Sequence, residues 1–98
     1  MLLHSTSGKP IRLSNERWEH ITKGHPELVN LKDRVLAAVE QPDRILSGNV
    51  GELLAVKEIE SGKWIVVVYR ELEADGFVIT AFLTRRGRAL DRRQQLWP

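Results

Sequence analysis

Cysteine is absent from the 98 residues of the chain. That excludes disulfides and thiolate metal sites, and it makes a reducing cytosol, hence a cytoplasmic location, the natural expectation. Long hydrophobic runs are missing too, and none approaches the length that spans a bilayer. The opening MLLHSTSGKP reads as too short and too polar for a signal peptide. There is no internal repeat, no low-complexity tract and no linker-like stretch. A glycine-rich phosphate loop, a serine nucleophile elbow and a dinucleotide fingerprint are also lacking, so nucleotide hydrolysis and acyl transfer have no support.

Acidic residues are scarce in one place. From Arg85 onward, Arg85, Arg86, Arg88, Arg92 and Arg93 stand against Asp91 alone. This local surplus explains a pI near 9.3 in a chain whose formal charge is only +2. Guanidinium groups present fixed forks of donors that suit phosphate. The plainer reading of residues 85–98 is a solvated basic tail.

What is present is ordinary globular material, with 42% hydrophobic and 29% charged residues. A chain of this length makes one domain and buries roughly two-thirds of its unfolded surface. Residues Met1–Gly8 read as loosely ordered, and Ile11–Leu13 as a short strand. Ser14 offers an N-cap, and Glu16 suits the first turn of a helix over Asn15–Lys23 that ends at Gly24 and Pro26. Asn30 can cap a second helix over Leu31–Gln41, in which Leu31, Val35, Ala38 and Val39 recur at helical spacing before Pro42.

The period then switches to two. Arg44–Leu46, Glu52–Glu60, Lys63–Glu71 and Phe77–Thr84 read as strands, with Ser61–Gly62 as a tight turn. The fold class that follows is α+β: two N-terminal helices packed on one face of a roughly four-stranded antiparallel meander. If Ser61–Gly62 is the whole turn, Leu54, Val56, Ile65, Val67, Tyr69, Phe77, Ile79, Ala81 and Leu83 share the helix face. The other face carries Leu53, Ala55, Lys57, Ile59, Trp64, Val66, Val68, Arg70, Val78, Thr80, Phe82 and Thr84. A one-residue slip in the first hairpin would move Lys57 to the helix face. The second face is too apolar for a plain solvated surface, and the N-terminal segment, the C-terminal tail, a ligand or a partner would cover it.

Chemistry has few bearers. Imidazole can take and give a proton near neutral pH, which directs attention to His20 and His25 rather than to His4 in the loose N-terminus. A metal site from His20 and His25 with Glu19 and Glu27 is disfavoured, because Gly24 interrupts the helix between the two histidines. What remains is metal-free phosphodiester chemistry, with no cofactor. RNA carries its own nucleophile, the 2′-hydroxyl. Imidazole, cations and hydroxyls from His20, Lys57, Arg70, Thr80 and Thr84 would then supply proton transfer and charge stabilisation.

Five pieces occur in order: Trp18-x-His20-Ile21, His25-Pro26-Glu27-Leu28, Pro42-Asp43-x-Ile45, Val66-Val67-Val68-x-Arg70 and Phe77-x-Ile79-Thr80-Ala81-Phe82. Together, over roughly Leu13–Trp97, the chain resembles the phage and toxin nuclease-like domains of the barnase–EndoU–colicin–RelE (BECR) group. The resemblance implies helices against a four-stranded antiparallel sheet. It also implies a metal-independent endoribonuclease of toxin or mobile-element origin. It assigns the helix histidine to His20, the strand cation to Arg70 and the following hydroxyl to Thr80, with Lys57 and Thr84 as further carry-overs. His25 becomes part of the helix-ending turn. Arg85, Arg86 and Arg88 become RNA-backbone contacts, and an antitoxin or immunity protein becomes an implied partner. Two other readings stand beside it: a non-catalytic RNA- or protein-binding module on the same fold, and a protein that dimerises through Trp64 and Phe82.

Overall fold

Helix α1 (Asn15–Gly24) begins where Ser14 predicts: the Ser14 hydroxyl accepts the Arg17 amide N–H at 3.0 Å, satisfying one of the donors that every helix start leaves free. In the computed structural model, which describes residues 2–98 and leaves Met1 outside the described residues, α1 buries Ile21 and half-buries Trp18. The His25 amide still donates to the Ile21 carbonyl at 2.8 Å, and Pro26–Leu28 then form one 3-10 turn. Helix α2 (Lys32–Glu40) buries Val35, Ala38 and Val39. Its N-cap position is held by Leu31 without a side-chain hydrogen bond, so Asn30 does not serve as the cap.

The sheet has seven strands and is mixed, not a four-stranded antiparallel meander. The strands are β1 (Leu2–His4), β2 (Pro10–Arg12), β3 (Arg44–Ser47), β4 (Leu53–Glu60), β5 (Lys63–Glu71), β6 (Gly76–Thr84) and β7 (Gln95–Trp97). Their spatial order is β1-β2-β6-β5-β4-β3-β7, and the sheet curls into a half-barrel. The expected meander survives as the central β3–β6 block. Beyond it, β2 joins β6 in parallel through Ile11 opposite Gly76 and Arg12 opposite Phe77, and β7 pairs with β3. The short strand expected over Ile11–Leu13 is present as β2, one residue earlier, but its parallel place beside β6, and β7 altogether, escape a sequence reading for a physical reason. Three-residue strands show no period, and their partners lie more than 40 residues away. Leu2–His4, within the stretch read as loosely ordered, pairs with Pro10–Arg12 as a hairpin. The basic tail folds as helix α3 (Gly87–Asp91) followed by β7.

Two register shifts decide which side chains share a face. In the β4–β5 hairpin Glu60 opposes Lys63, but Glu58 opposes Trp64, so Ile59 bulges out of the ladder. Gly62 takes a positive φ of 76° in that turn, and its N–H is accepted by the Glu58 carboxylate. The bulge inverts the expected assignment of β4. Lys57 now pairs with Ile65 on the helix side, whereas Leu54 and Val56 pair with Val68 and Val66 on the opposite side. A second shift in β6 leaves Ile79 unopposed between the Val68–Thr80 and Tyr69–Val78 pairs. Val78 therefore enters the helix-side core and Phe77 crosses to the other face, the reverse of the expectation from strict alternation.

The main core lies between the helices and the sheet, with Ile11, Leu13, Ile21, Leu28, Val35, Val67 and Tyr69 at its centre. A smaller core forms on the second face from Leu46, Leu54, Val56 and Val66, with Leu90 of α3 packed on top. Trp64, Val68 and Phe82 line its rim, half-buried. The C-terminal segment thus covers part of the second face and leaves the rest open. No helix among the described residues is long and apolar enough to cross a membrane.

Candidate functional site

β5 and β6 display Trp64, Val66, Val68 and Arg70 beside Thr84, Phe82, Thr80 and Phe77 on the second face. Beyond Phe77, β6 has no second strand neighbour, and α1 and the 3-10 turn pack against it there. This packing brings in a histidine, and the histidine is His25. Its ring centroid lies 6.3 Å from that of Phe82, tilted by 36°. His25 is at once the residue that closes α1 and the one that precedes the Pro26–Leu28 turn. Glu27 Oε2 lies 3.6 Å from His25 Nδ1, and both side chains are part-exposed. His20 is fully on the surface of α1, beside Glu16, Glu19 and Lys23. It makes no hydrogen bond or ion pair with Arg70 or Thr80.

Arg70 is half-buried. Its Nη2 donates to the Val50 carbonyl at 3.1 Å, and a Cβ on Gly51 would sit 3.3 Å from Nη1. Gly51 has a φ of 92°, a conformation that side chains disfavour, so the close approach of this loop to Arg70 suits glycine. The loop is tied internally by Glu52, whose carboxylate accepts the Val50 N–H at 2.7 Å. Backbone donors, first that of Val50, and then the nearby Arg70 charge hold the Glu52 carboxyl below the usual carboxylate range. Arg93 fastens the same loop from the other side, donating to the Ser47 carbonyl and to Asn49 Oδ1, both at 3.1 Å. Arg70 therefore has one nitrogen committed to the fold and lies against the Val50–Glu52 loop, with its other donors making no hydrogen bond among the described residues.

The other site residues divide sharply. Thr80 sits half-exposed beside Val68, and its hydroxyl makes no hydrogen bond among the described residues. Thr84 is engaged: its Oγ1 accepts the Arg86 N–H at 3.0 Å and sets the turn into α3. Lys57 lies on the helix side, where its Nζ donates to the Gln41 carbonyl at 2.6 Å. That bond satisfies the end of α2 and places the ammonium away from Arg70 and Thr80. Arg85, Arg86 and Arg88, with Arg92, surround a shallow hollow of about 370 Å³ at α3. Arg85 alone among them has a carboxylate near, Glu60 at 3.5 Å.

Sequence reasoning set His25 aside as a turn residue and did not see Phe77 on this face. The first was signalled by its place between Gly24 and Pro26. The second followed from a bulge, which no residue at Ile79 advertises. No group of three metal-ligating side chains occurs among the described residues. No family model matches the chain, and neither a curated protein nor a solved structure matches it significantly.

Proposed function

We propose that the chain is an endoribonuclease that needs no metal and works on the second face of the sheet. The observation that carries this reading is His25 packed on Phe82, on the same strand face as the free Thr80 hydroxyl and the Arg70 guanidinium. His25 takes the proton of the RNA 2′-hydroxyl, whose oxygen attacks the adjacent phosphorus. The 5′-oxygen leaves and takes a proton from solvent water, giving a 2′,3′-cyclic phosphate and a free 5′-hydroxyl, and the proton held by His25 returns to solvent. Arg70 and Thr80 donate to the phosphoryl oxygens as negative charge builds on them. The α3 arginines Arg85, Arg86 and Arg88 hold the flanking backbone. The working compartment in this reading is the cytoplasm, and an antitoxin or immunity protein that covers this face is the matching partner. The BECR resemblance supports the same chemistry, with His25 in the place that motif matching gives to His20.

The test is cleavage of total RNA in EDTA with end-group analysis. Wild-type protein yields cyclic phosphate ends, His25→Ala lowers the rate by about 10²–10⁴-fold, and His20→Ala leaves it within a few-fold. Equal loss in His20→Ala and none in His25→Ala would transfer the role back to His20.

A second reading rests on a different observation: Arg70 and Thr84 are already hydrogen-bonded within the fold. A binding module that holds RNA without cutting it uses the same face. Undiminished binding with intact RNA after prolonged incubation selects it.

A further inference from the structure

The α3 hollow is not the only basic depression along β6. At the far end of β6, Arg12, Ser14, Arg17, Phe77 and Val78 line a second hollow of about 220 Å³. Three features make it unlike an ordinary surface dip. Arg12 pairs with Phe77 across the parallel β2–β6 junction, and Phe77 pairs with Arg70 across β5–β6. Paired residues point to the same side, so half-exposed Phe77 stands on a strand whose two neighbours, about 5 Å away on either side, each carry an arginine directly opposite it. Arg17 comes in from α1, with Nη1 3.5 Å from the Ile79 carbonyl at the bulge. Arg12 has one carboxylate neighbour, Asp75 at 3.3 Å, in an exposed pair that competes weakly with a phosphate.

We infer that this hollow is a nucleotide subsite, and that the substrate is single-stranded RNA laid along β6 from Phe77 to the α3 arginines. The inference rests on the reading of the second face as an RNA site and names the form of RNA it takes. A flat ring with an arginine opposite it on each neighbouring strand is a combination that can stack a base while neutralising the phosphates next to it. Phe82 repeats the aromatic platform near the other end of β6, next to His25. From Phe77 to Thr84 the strand runs about 23 Å. That length sits at the short end of the roughly 4–16 nucleotides that single-strand grooves hold. A duplex is a poor fit, because its bases are stacked on one another and cannot lie on Phe77.

The experiment measures binding, not cleavage, with a fluorescent 2′-O-methyl oligouridine that cannot be cut. It is compared with the same strand in a duplex and with polyglutamate, over a range of salt concentrations. Phe77→Leu weakens single-strand binding about tenfold, and Phe77→Tyr, which keeps the ring, restores it. Arg12→Gln with Arg17→Gln lowers the slope of log affinity against log salt by about 0.7 for each phosphate that is no longer neutralised. Duplex binding is weaker than single-strand binding and indifferent to Phe77→Leu. The subsite is overturned if Phe77→Leu and the double arginine variant bind as wild type while Arg86→Gln with Arg88→Gln does not; RNA binding as such then survives. It is also overturned by a preference for duplex or for polyglutamate. If wild-type protein binds none of the nucleic acids, both the subsite and the ribonuclease reading fall.

Discussion

Lys57 and Arg70 lie on neighbouring strands, and a sequence reading puts both on one phosphate. In the structure their tasks differ. Lys57 closes the end of α2 through the Gln41 carbonyl, so Lys57→Met should cost about 1 kcal/mol in urea unfolding and leave RNA cleavage unchanged. Tyr69 is a second residue whose surroundings decide its behaviour. Its hydroxyl is buried in the main core and has no hydrogen-bond partner among the described residues. Desolvation first, and the Glu71 charge second, push its phenol well above the ordinary value of 10.0. In the unfolded chain the phenol ionises near that value, while the folded chain retains the proton. Stability is therefore full below pH 10 and falls as pH rises above it. Tyr69→Phe should raise stability by about 1 kcal/mol and remove that alkaline loss, as chemical denaturation at pH 7 and above pH 10 will register. At this scale the sequence names the residues that bear chemistry, but it does not say which are already employed. Lys57 and Arg70 donate to carbonyls 16 and 20 residues away, outside the motifs that drew attention to them, and Thr84 accepts from a backbone N–H two residues on.

Among the elements, both helices and the four central strands were legible, because each carries its own period and its own stop signal. Ser14, Gly24, Pro26 and Pro42 punctuate the helices within a residue or so of their observed ends. The faces of β4 and β6 were not legible, since a bulge leaves the local alternation intact and changes only the partner across the ladder. Ile59 and Ile79 look like any other strand residue. The consequence for the site is direct: one bulge removes Lys57 from the second face and the other delivers Phe77 to it. Helix α3 was hidden for another reason. It is five residues long, is flanked by arginines, and has a single buried anchor, Leu90, which is only 5% exposed. Leu90→Ala should cost about 2–3 kcal/mol and loosen α3. RNA affinity should fall with it, measured alongside the thermal midpoint.

For the whole molecule, the sheet is finished at both edges by segments distant in sequence from their neighbours. β2 reaches β6 across more than 60 residues, whereas the β3–β6 block is built from successive antiparallel pairs. Composition and pattern therefore announce the α+β class and the middle of the sheet, and remain silent about what borders them. The junction between β2 and β6 consists of two residue pairs, Ile11 with Gly76 and Arg12 with Phe77. A Cβ at Gly76 would collide with the Arg70 carbonyl across β5 and press on Ile11 Cδ1 at 2.8 Å, so the strands approach closely at this glycine. Such a seam is the natural place for the molecule to come apart without unfolding. Backbone amides of Ile11 and Arg12 should exchange with deuterium well ahead of those of Val66 and Val67 at the centre of β5, and Ile11→Ala should widen that gap. Because Arg12 travels with the ribbon formed by β1 and β2, each opening would withdraw a charge from beside Phe77. The breathing of one edge of the sheet would then set how long a bound strand stays.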